Sequence, residues 1–209
     1  MLAGAAVAAC SRGSWARARG GLSINPEGIL KDARRIDFKG ANAVAVEPTA
    51  WGPMLRSTPQ NSATGLYHEV AVRPEHLRRV SWTWLVDPLH RSADMRRIET
   101  EDSGATIMFV FGRPSWWNRD VPTLAYSWTA TRVGNETVLP SLRYDSLRYV
   151  QLRGRDEAGT MQREERDIVA DFEAIFMRAP PELNYVAVFN DNDQTNEPVS
   201  ALFGRIASV

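Results

Sequence analysis

Oxygen-bearing side chains alternate in one short segment near the C-terminal end of the chain. In NDNDQTNEP, residues 190–198, the side chains of Asp191, Asp193, Thr195 and Glu197 could converge on a single cation. The favoured interpretation is a shaped polar turn, because asparagine and aspartate bond to nearby backbone and tolerate left-handed conformations, and no cofactor is predicted. The alternative is a Ca²⁺ site, because calcium takes about six to eight oxygen ligands at loosely fixed geometry.

A second acidic group ends the long connection 88–104, which carries Glu101 and Asp102. Connections longer than about 12 to 15 residues without their own secondary structure are uncommon and often functional. If these carboxylates met Asp191 or Asp193 across a rim, the pair could perform acid and base catalysis on a glycosidic bond. The alternative is a solvated loop in which arginines balance the acids.

A third candidate site is the segment GRPSWWNRD, residues 112–120. A loop tryptophan offers a flat apolar face on which a sugar ring can stack, and neighbouring charged groups can hold its hydroxyls. The alternative is that the tryptophans pack under the loop and seal the core. The predicted ligand-binding residues are Arg113, Trp116, Trp117, Arg119 and Asp120.

The elements that would position these loops are mostly strands. Trp82 and Trp84 alternate with polar residues, which predicts a strand with both tryptophans on its buried face. Residues 124–130 alternate in the same way, and the apolar run 105–111 is typical of a strand covered on both faces. The number of strands predicts a mainly β, two-sheet antiparallel sandwich of the jelly-roll or galactose-binding-like kind. Further strands are predicted at 43–47, 67–72, 147–152, 184–189 and 199–206.

One amphipathic helix is predicted near residues 167–177. Asp167 is a suitable N-cap, and Ile168, Phe172 and Phe176 fall on one face at helical spacing. Two prolines follow and end the segment. We expect this apolar stripe to pack on the sandwich.

The N-terminal segment MLAGAAVAAC resembles the lipobox of bacterial lipoproteins, which would make Cys10 a lipidation site. We therefore predict a lipoprotein signal remnant at 1–10, a tether or poorly ordered leader at 11–35, and a single β-sandwich domain at 36–209. The alternative is an alanine-rich leader with an inert cysteine. No other apolar run approaches the ~18 residues that cross a bilayer, so the predicted membrane link is a lipid anchor only.

Charge and motifs exclude several functional classes. Lysine plus arginine and aspartate plus glutamate both number 25, and the resulting net charge of zero argues against a nucleic-acid partner. A single cysteine cannot form an internal disulfide framework. The phosphate-binding, dinucleotide, serine-hydrolase and zinc-protease motifs GxxxxGK[ST], GxGxxG, GxSxG and HExxH are all absent from the sequence.

Six segments in a fixed order resemble a known bacterial family, domain of unknown function 3047. This resemblance covers the chain from about residue 36 onward, and it implies a secreted or periplasmic β-sandwich similar to jelly-roll carbohydrate-binding modules. It implies no reaction. The segments are SATGLYHEV (62–70), RVSWTWLVD (79–87), the acidic pair at 101–102, LAYSWT (124–129), EERDIVADFEAIF (164–176) and VAVFNDNDQT (186–195).

The preferred functional prediction is a noncatalytic, envelope-associated sandwich that binds a glycan or a partner protein through its loops. Its predicted location is the bacterial periplasm or outer membrane, where it would be lipid-anchored or secreted. The alternative is a carbohydrate-active enzyme that uses paired carboxylates from two loops, chosen among Glu101, Asp102, Asp191 and Asp193.

Overall fold

Alternating side chains along β6 (Val80–Val86) place every second residue in the protein interior. Trp82 and Trp84 are at most 1% exposed, as predicted. Their rings lie edge to face at 5.9 Å, and Trp84 makes a similar contact at 5.7 Å with Trp128 from β8 (Thr123–Trp128). Such aromatic pairs add to the gain from burial. Because β6 and β8 belong to different sheets, this aromatic cluster joins the two layers.

The computed structural model describes residues 21–113 and 120–209, and within them two seven-stranded sheets enclose the core. The predicted jelly-roll-like sandwich is thereby confirmed. In the first sheet β11 (Gln162–Arg166) pairs with one side of β6, while β13 (Ala201–Phe203) and β14 (Ile206–Ser208) share its other side. The remaining strands of this sheet are β1 (Ser23–Ile24), β3 (Ala43–Thr49) and β4 (Gly52–Thr58).

The second sheet carries the loops that were predicted as sites. Its strand order is β2-β5-β12-β7-β8-β10-β9. β7 is buried along its whole length, as its apolar run predicted. Besides β8, the strands are β2 (Arg34–Lys39), β5 (Ala63–Val72), β7 (Ala105–Val110), β9 (Thr137–Pro140), β10 (Leu147–Arg153) and β12 (Leu183–Asp191).

One strand pair departs from the predicted antiparallel arrangement. β10 pairs with β8 in parallel, in the register Leu147 opposite Thr123. The chain leaves β8, forms the edge strand β9 and then returns as β10 between the two, antiparallel to β9. This insertion makes β10 run in the same direction as β8.

The helix predicted near 167–177 is present as α2 (Ile168–Phe176). The Asp167 side chain accepts from the Ala170 N–H at 2.9 Å, which satisfies one of the free donors of the first turn. Phe172 packs on Phe111 with ring centroids 4.6 Å apart. No helix in the described ranges is long and apolar enough to span a bilayer.

The segment predicted as a leader contributes to the fold from residue 22 onward, so the predicted domain start at residue 36 is too late. β1 pairs with β14, and α1 (Pro26–Asp32) begins at an Asn25 N-cap. Leu22, Ile24 and Ile29 are buried in the main core, which explains why this segment is ordered. The protein thus has a second short helix besides the one near 167–177, and a 3-10 turn lies at Pro74–His76. Residues 11–20 lie outside the described ranges.

A polar clamp crosses the interior from one sheet to the other. Glu164 of β11 accepts hydrogen bonds from the Trp84 ring N–H at 3.0 Å and from the Arg153 guanidinium at 2.7 and 2.9 Å. The Glu164 side chain is 8% exposed and the Arg153 side chain 25%. A buried charge pair is tolerated only when its hydrogen bonds are satisfied, and here the carboxylate has three donors.

Candidate functional site

The outer face of the second sheet is lined by tyrosines. The two-residue period of a strand turns Tyr67, Tyr149 and Tyr185 away from the core. They surround buried Met108, and together with Phe189 these residues form a second apolar cluster, which we call the tyrosine face. The buried side chains of both helices belong to the core between the sheets, not to this face.

Tyr67 and Tyr149 lie in one row across five strands. The row runs from Tyr67 through Ala187, Met108 and Ala125 to Tyr149, so the two tyrosine backbones are four strand spacings apart, roughly 19 Å. The two alanines leave room above the sheet. The Tyr67 ring reaches into this room, since its hydroxyl lies 4.0 Å from the Met108 sulfur.

Burial affects the phenol groups of Tyr67 and Tyr149 on this face. Burial raises the pKa of Tyr67 to about 12. Burial also raises the pKa of Tyr149, and the nearby Asp191 carboxylate adds to this effect. Among the described residues, none hydrogen-bonds to the Tyr149 or Tyr185 hydroxyl, which leaves both as donors for a ligand.

Charged side chains border one end of the tyrosine face. Glu101 pairs with Arg143. Burial raises the pKa of Glu101, Arg143 opposes this shift, and the carboxylates of Asp193 and Asp102 add to it. The Lys39 ammonium donates to the Asp193 carbonyl at 2.7 Å. This end therefore offers both acceptors and donors.

Three carboxylates meet behind this border. Oxygen atoms of Asp102, Asp191 and Asp193 all lie within 4.8 Å of one another, which brings together the two loops that the sequence analysis singled out. Asp102 is fully buried and accepts from the backbone N–H groups of Gln194 and Thr195 and from the Thr195 hydroxyl. The Asp102 carboxylate thus holds the second loop in place.

Burial and neighbouring negative charges both act on the Asp191 carboxylate. Its Oδ1 accepts from the Ser103 N–H at 2.7 Å. Burial raises the pKa of Asp191 well above its usual range, and the charges of Asp102 and Asp193 raise it further, while the Ser103 hydrogen bond opposes the shift. Burial and Asp102 also raise the pKa of Asp193. A cation would relieve this repulsion, and three carboxylates are hard oxygen ligands of the kind that Ca²⁺ prefers.

A buried amide and hydroxyl network fixes the end of β12 that bears Asp191. The Asn42 amide nitrogen donates to the Asn190 carbonyl and side-chain oxygens, each at 2.9 Å. Ser57 of the first sheet donates to the same Asn190 side chain at 2.6 Å. This network ties the two sheets together beside the carboxylates.

A buried histidine closes the rear of the carboxylate group. His90 is 1% exposed, and its Nε2 lies 2.9 Å from the Asp191 carbonyl oxygen, to which it donates. Burial lowers the pKa of His90, and the charges of Asp102 and Glu197 oppose this shift. The sequence analysis did not single out this position.

The structure divides the four residues predicted as calcium ligands. Asp191 and Asp193 belong to the group of three carboxylates, but the third member is Asp102 from the other loop. Thr195 uses its hydroxyl to bind Asp102. Glu197 lies apart, where it accepts from the backbone N–H groups of residues 91 and 92. The alternation along one loop therefore does not define the cluster.

Arg113 and Asp120, the described flanks of the segment 112–120, lie at the opposite end of the tyrosine face. Arg113 pairs with Glu69 at 2.6 Å, and Glu69 lies opposite Tyr185 in the strand register. Asp120 accepts from the Ser146 N–H at 2.9 Å and so anchors the end of the loop. The predicted residues Trp116, Trp117, Arg119 and Cys10 lie outside the described ranges.

An exposed tryptophan that sequence analysis missed lies on the other sheet. Trp51, in the turn between β3 and β4, is 67% exposed. It borders a depression of about 510 Å³ that Arg163 and Arg205 also line. The depression has fewer aromatic side chains than the tyrosine face and no carboxylate cluster, so we rank it second.

Comparison with known proteins gives a family but no activity. A family model described as "Protein of unknown function (DUF3047)" matches residues 34–207, which confirms the resemblance found in the sequence. No curated protein shows significant similarity to the chain.

Solved structures with a similar arrangement of strands share little sequence with the chain. The family 11 carbohydrate-binding module of a Clostridium thermocellum cellulase has a TM-score of 0.48 and 8% identity, over 91% of this chain and 94% of that one. A cellulase derived from Rhodothermus marinus Cel12A has a TM-score of 0.45 and 10% identity, over 83% and 100%. The K2 cleaved adhesin domain of Lys-gingipain has a TM-score of 0.44 and 11% identity, over 90% and 99%. Likeness at this level does not identify a ligand.

Proposed function

We propose that this chain, which belongs to the DUF3047 family, binds a glycan on the tyrosine face without cleaving it. The observation that carries the proposal is a set of partly exposed tyrosines on an otherwise apolar sheet face, between charged pairs at both ends. Folding alone does not require partly exposed rings on this face, two of which, Tyr149 and Tyr185, have no hydrogen-bond partner for their hydroxyls among the described residues. A ligand that is apolar on one side and rich in hydroxyls would use both the rings and the hydroxyls.

A sugar ring has this combination of surfaces. Its C–H groups can stack on an aromatic ring, while its hydroxyls exchange hydrogen bonds with polar groups around the edge. Tyr67 and Tyr149 supply ring surface and hydroxyl groups. Glu101, Arg143 and Asp193 supply carboxylate and guanidinium partners at one end. The roughly 19 Å between the two tyrosine backbones is long enough for several sugar units, which favours a polysaccharide.

The tryptophan loop extends this proposal. Trp116 and Trp117 follow Arg113, whose ion pair with Glu69 places the start of the loop beside Tyr185. We propose that these tryptophans lengthen the binding surface beyond the tyrosine face. Their sequence position supports this, and a Trp117→Ala variant with weaker binding would agree with it.

The test is binding to a panel of polysaccharides, followed by calorimetry on any ligand found. Truncating a central aromatic side chain of an interface costs more than about 1 kcal/mol, so Tyr149→Ala should weaken binding roughly fivefold or more. Tyr149→Phe keeps the ring and removes only the hydroxyl, so it should have a smaller effect. Trp51→Ala is the matched control, because it removes an exposed aromatic side chain from the opposite sheet. If Trp51→Ala lost binding while Tyr149→Ala bound as the natural protein does, the glycan site would lie on the first sheet instead.

A carbohydrate-active enzyme is the second candidate, and the upward shift of the Glu101 pKa favours it, because a general acid needs a raised pKa; the ion pair with Arg143 opposes that shift. Asp102 is a poor catalyst, since its oxygens are occupied by loop N–H and O–H groups. Incubation of the protein with bound polysaccharides should yield no new reducing ends. Reducing ends that appear with the natural protein and disappear with Glu101→Gln would establish the enzyme instead.

Attachment to the bacterial envelope completes the proposal. A lipid on Cys10 would hold the sandwich at the outer membrane, or a signal peptide would release it to the periplasm. The lipobox-like segment 1–10 supports this. Radiolabelled fatty acid should enter the natural protein and not Cys10→Ser. Equal labelling of both proteins would refute lipidation at this residue.

A further inference from the structure

Four arginines surround a small depression away from the tyrosine face. The depression has a volume of about 230 Å³ and is bordered by Arg91, Arg96, Arg132 and Arg155. This is smaller than the roughly 300–1,000 Å³ of sites that enclose a whole small molecule. It is large enough for one compact charged group.

Only one of the four arginines is neutralised within the described part of the chain. Arg96 binds Asp94 with two hydrogen bonds of 2.9 and 2.7 Å. The hydrogen bond from Arg96 lowers the pKa of Asp94 to about 2, so this carboxylate stays charged and matched to Arg96. Among the described residues, no carboxylate lies within 4.0 Å of the Arg91, Arg132 or Arg155 guanidinium. The depression therefore holds an excess of positive charge, although the chain as a whole has none.

The Arg155 guanidinium is fixed by groups that do not neutralise it. Its Nε donates to the Ala130 carbonyl oxygen at 3.1 Å, and its Nη2 donates to the Arg91 carbonyl oxygen. Carbonyl groups orient the planar fork and leave its full charge in place. A guanidinium held in this way loses little freedom when it binds an anion, which favours binding.

The segments that carry the arginines are also tied to one another. Glu197 accepts from the N–H groups of Arg91 and Ser92 and from the Ser92 hydroxyl at 3.0 Å. The Met95 N–H donates to the Thr131 hydroxyl at 2.8 Å, one residue before Arg132. The backbone segments that carry Arg91 and Arg132 are thus set by the fold before any ligand arrives, and among the four guanidinium groups Arg155 and Arg96 are held as well.

We propose that this depression binds a doubly charged oxyanion, a phosphate or sulfate group. Such a group has several acceptor oxygens and pairs with the planar fork of arginine in two-point contacts. The site uses none of the residues of the tyrosine face, so it does not depend on the proposed glycan binding. The group could arrive as a free ion or as an ester on a sugar, and the two differ only in what is attached to the oxyanion.

The test is calorimetry with inorganic phosphate, inorganic sulfate and glucose 6-phosphate, each at an ionic strength matched with sodium chloride. Saturable binding that chloride does not reproduce is expected. Removing one charged hydrogen-bonding partner in Arg132→Gln or Arg155→Gln should weaken it about tenfold or more. The Arg132 side chain makes no hydrogen bond to the described residues, so Arg132→Gln should fold even if Arg155→Gln does not. Tighter binding of glucose 6-phosphate would identify the sugar ester as the source, and tighter binding of inorganic phosphate the free ion.

The matched control is Arg178→Gln, which removes from the segment after α2 an exposed arginine that has no ion-pair partner among residues 21–113 and 120–209. It should bind the oxyanions as the natural protein does. Equal weakening in Arg178→Gln would show that the anions respond to total charge, and this would overturn the proposal. Heats no larger than those of sodium chloride would overturn it as well. Neither result would affect the glycan test, which uses Tyr149 and Trp51.

Discussion

Replacement of Glu164 by alanine should strongly destabilise the protein. Glu164 is the centre of the polar clamp, and its Oε1 accepts from both Trp84 Nε1 and Arg153 Nε. The Ala variant leaves the buried Trp84 N–H without an acceptor and the Arg153 charge without its main partner. Removing one member of a buried ion pair costs about 3–5 kcal/mol, because the other charge remains in a poorly solvated place.

The structure favours the lower end of this range. The Arg153 side chain keeps a quarter of its surface exposed, and Glu157 lies 4.0 Å from its Nη1. We therefore expect a loss of about 3 kcal/mol, mostly from the pair and partly from the unsatisfied Trp84 N–H. For a chain of this size, a loss of that order lowers Tm by roughly 6–12 °C. Glu164→Gln should lose less, since an amide oxygen at the Oε1 position keeps both of the hydrogen bonds made there.

Chemical denaturation followed by tryptophan fluorescence measures the free energy of unfolding, and Glu165→Ala is the matched control. Glu165 is the next residue of the same strand, and it makes an exposed ion pair with Arg79 at 2.8 Å. Exposed pairs contribute about 1 kcal/mol or less. The order of stability should be natural protein, Glu165→Ala, then Glu164→Ala. If Glu164→Ala were no less stable than Glu165→Ala, the interior clamp would not stabilise the fold.

The carboxylate group gives two further predictions. A raised pKa in the folded state means that Asp191 stabilises the fold when protonated and loses this contribution as pH rises through its folded pKa. In the presence of a chelator at mildly alkaline pH, Asp191→Asn should therefore be at least as stable as the natural protein, and its stability should depend less on pH. A lower Tm of Asp191→Asn under these conditions would contradict the upward shift of the Asp191 pKa. Calcium at a free concentration a hundredfold above its Kd should stabilise the natural protein by about 2.7 kcal/mol and so raise its Tm. It should not change the Tm of Asp191→Asn. Identical melting curves of the natural protein in calcium and in chelator would rule out the metal.

The layered fold could be predicted because its signals are local. Trp82 and Trp84 alternate with polar residues in β6, and the run that forms β7 is apolar throughout. The order of strands in a sheet is not local, so the insertion of β10 beside β8 could not be read from the sequence. The early start of the fold was missed for a different reason: Asn25 followed by Pro26 is a helix-start signal, but Gly28 within the segment has a low helix propensity and weakens the prediction of a helix.

The site was predicted in part. Asp102 and Asp191 are 89 positions apart in the chain. Their close approach in space cannot be read from the sequence, because it depends on the pairing of Ser103 with the end of β12. Glu197 was misplaced because alternation in a loop does not fix direction as it does in a strand. The tyrosine face was missed altogether. Its signal was present, since Tyr67 and Tyr149 occupy strand positions where alternation calls for a polar residue.

The pairing of β1 with β14 has a practical consequence. Ser23 lies opposite Ala207, and the Ser208 N–H donates to the Leu22 carbonyl oxygen at 2.8 Å, so the two ends of the described chain run side by side. A linker of a few residues would join them as a hairpin, and new termini could be opened in an exposed loop. A circularly permuted protein of this kind should fold, because the sandwich depends on which strands are neighbours and not on where translation starts.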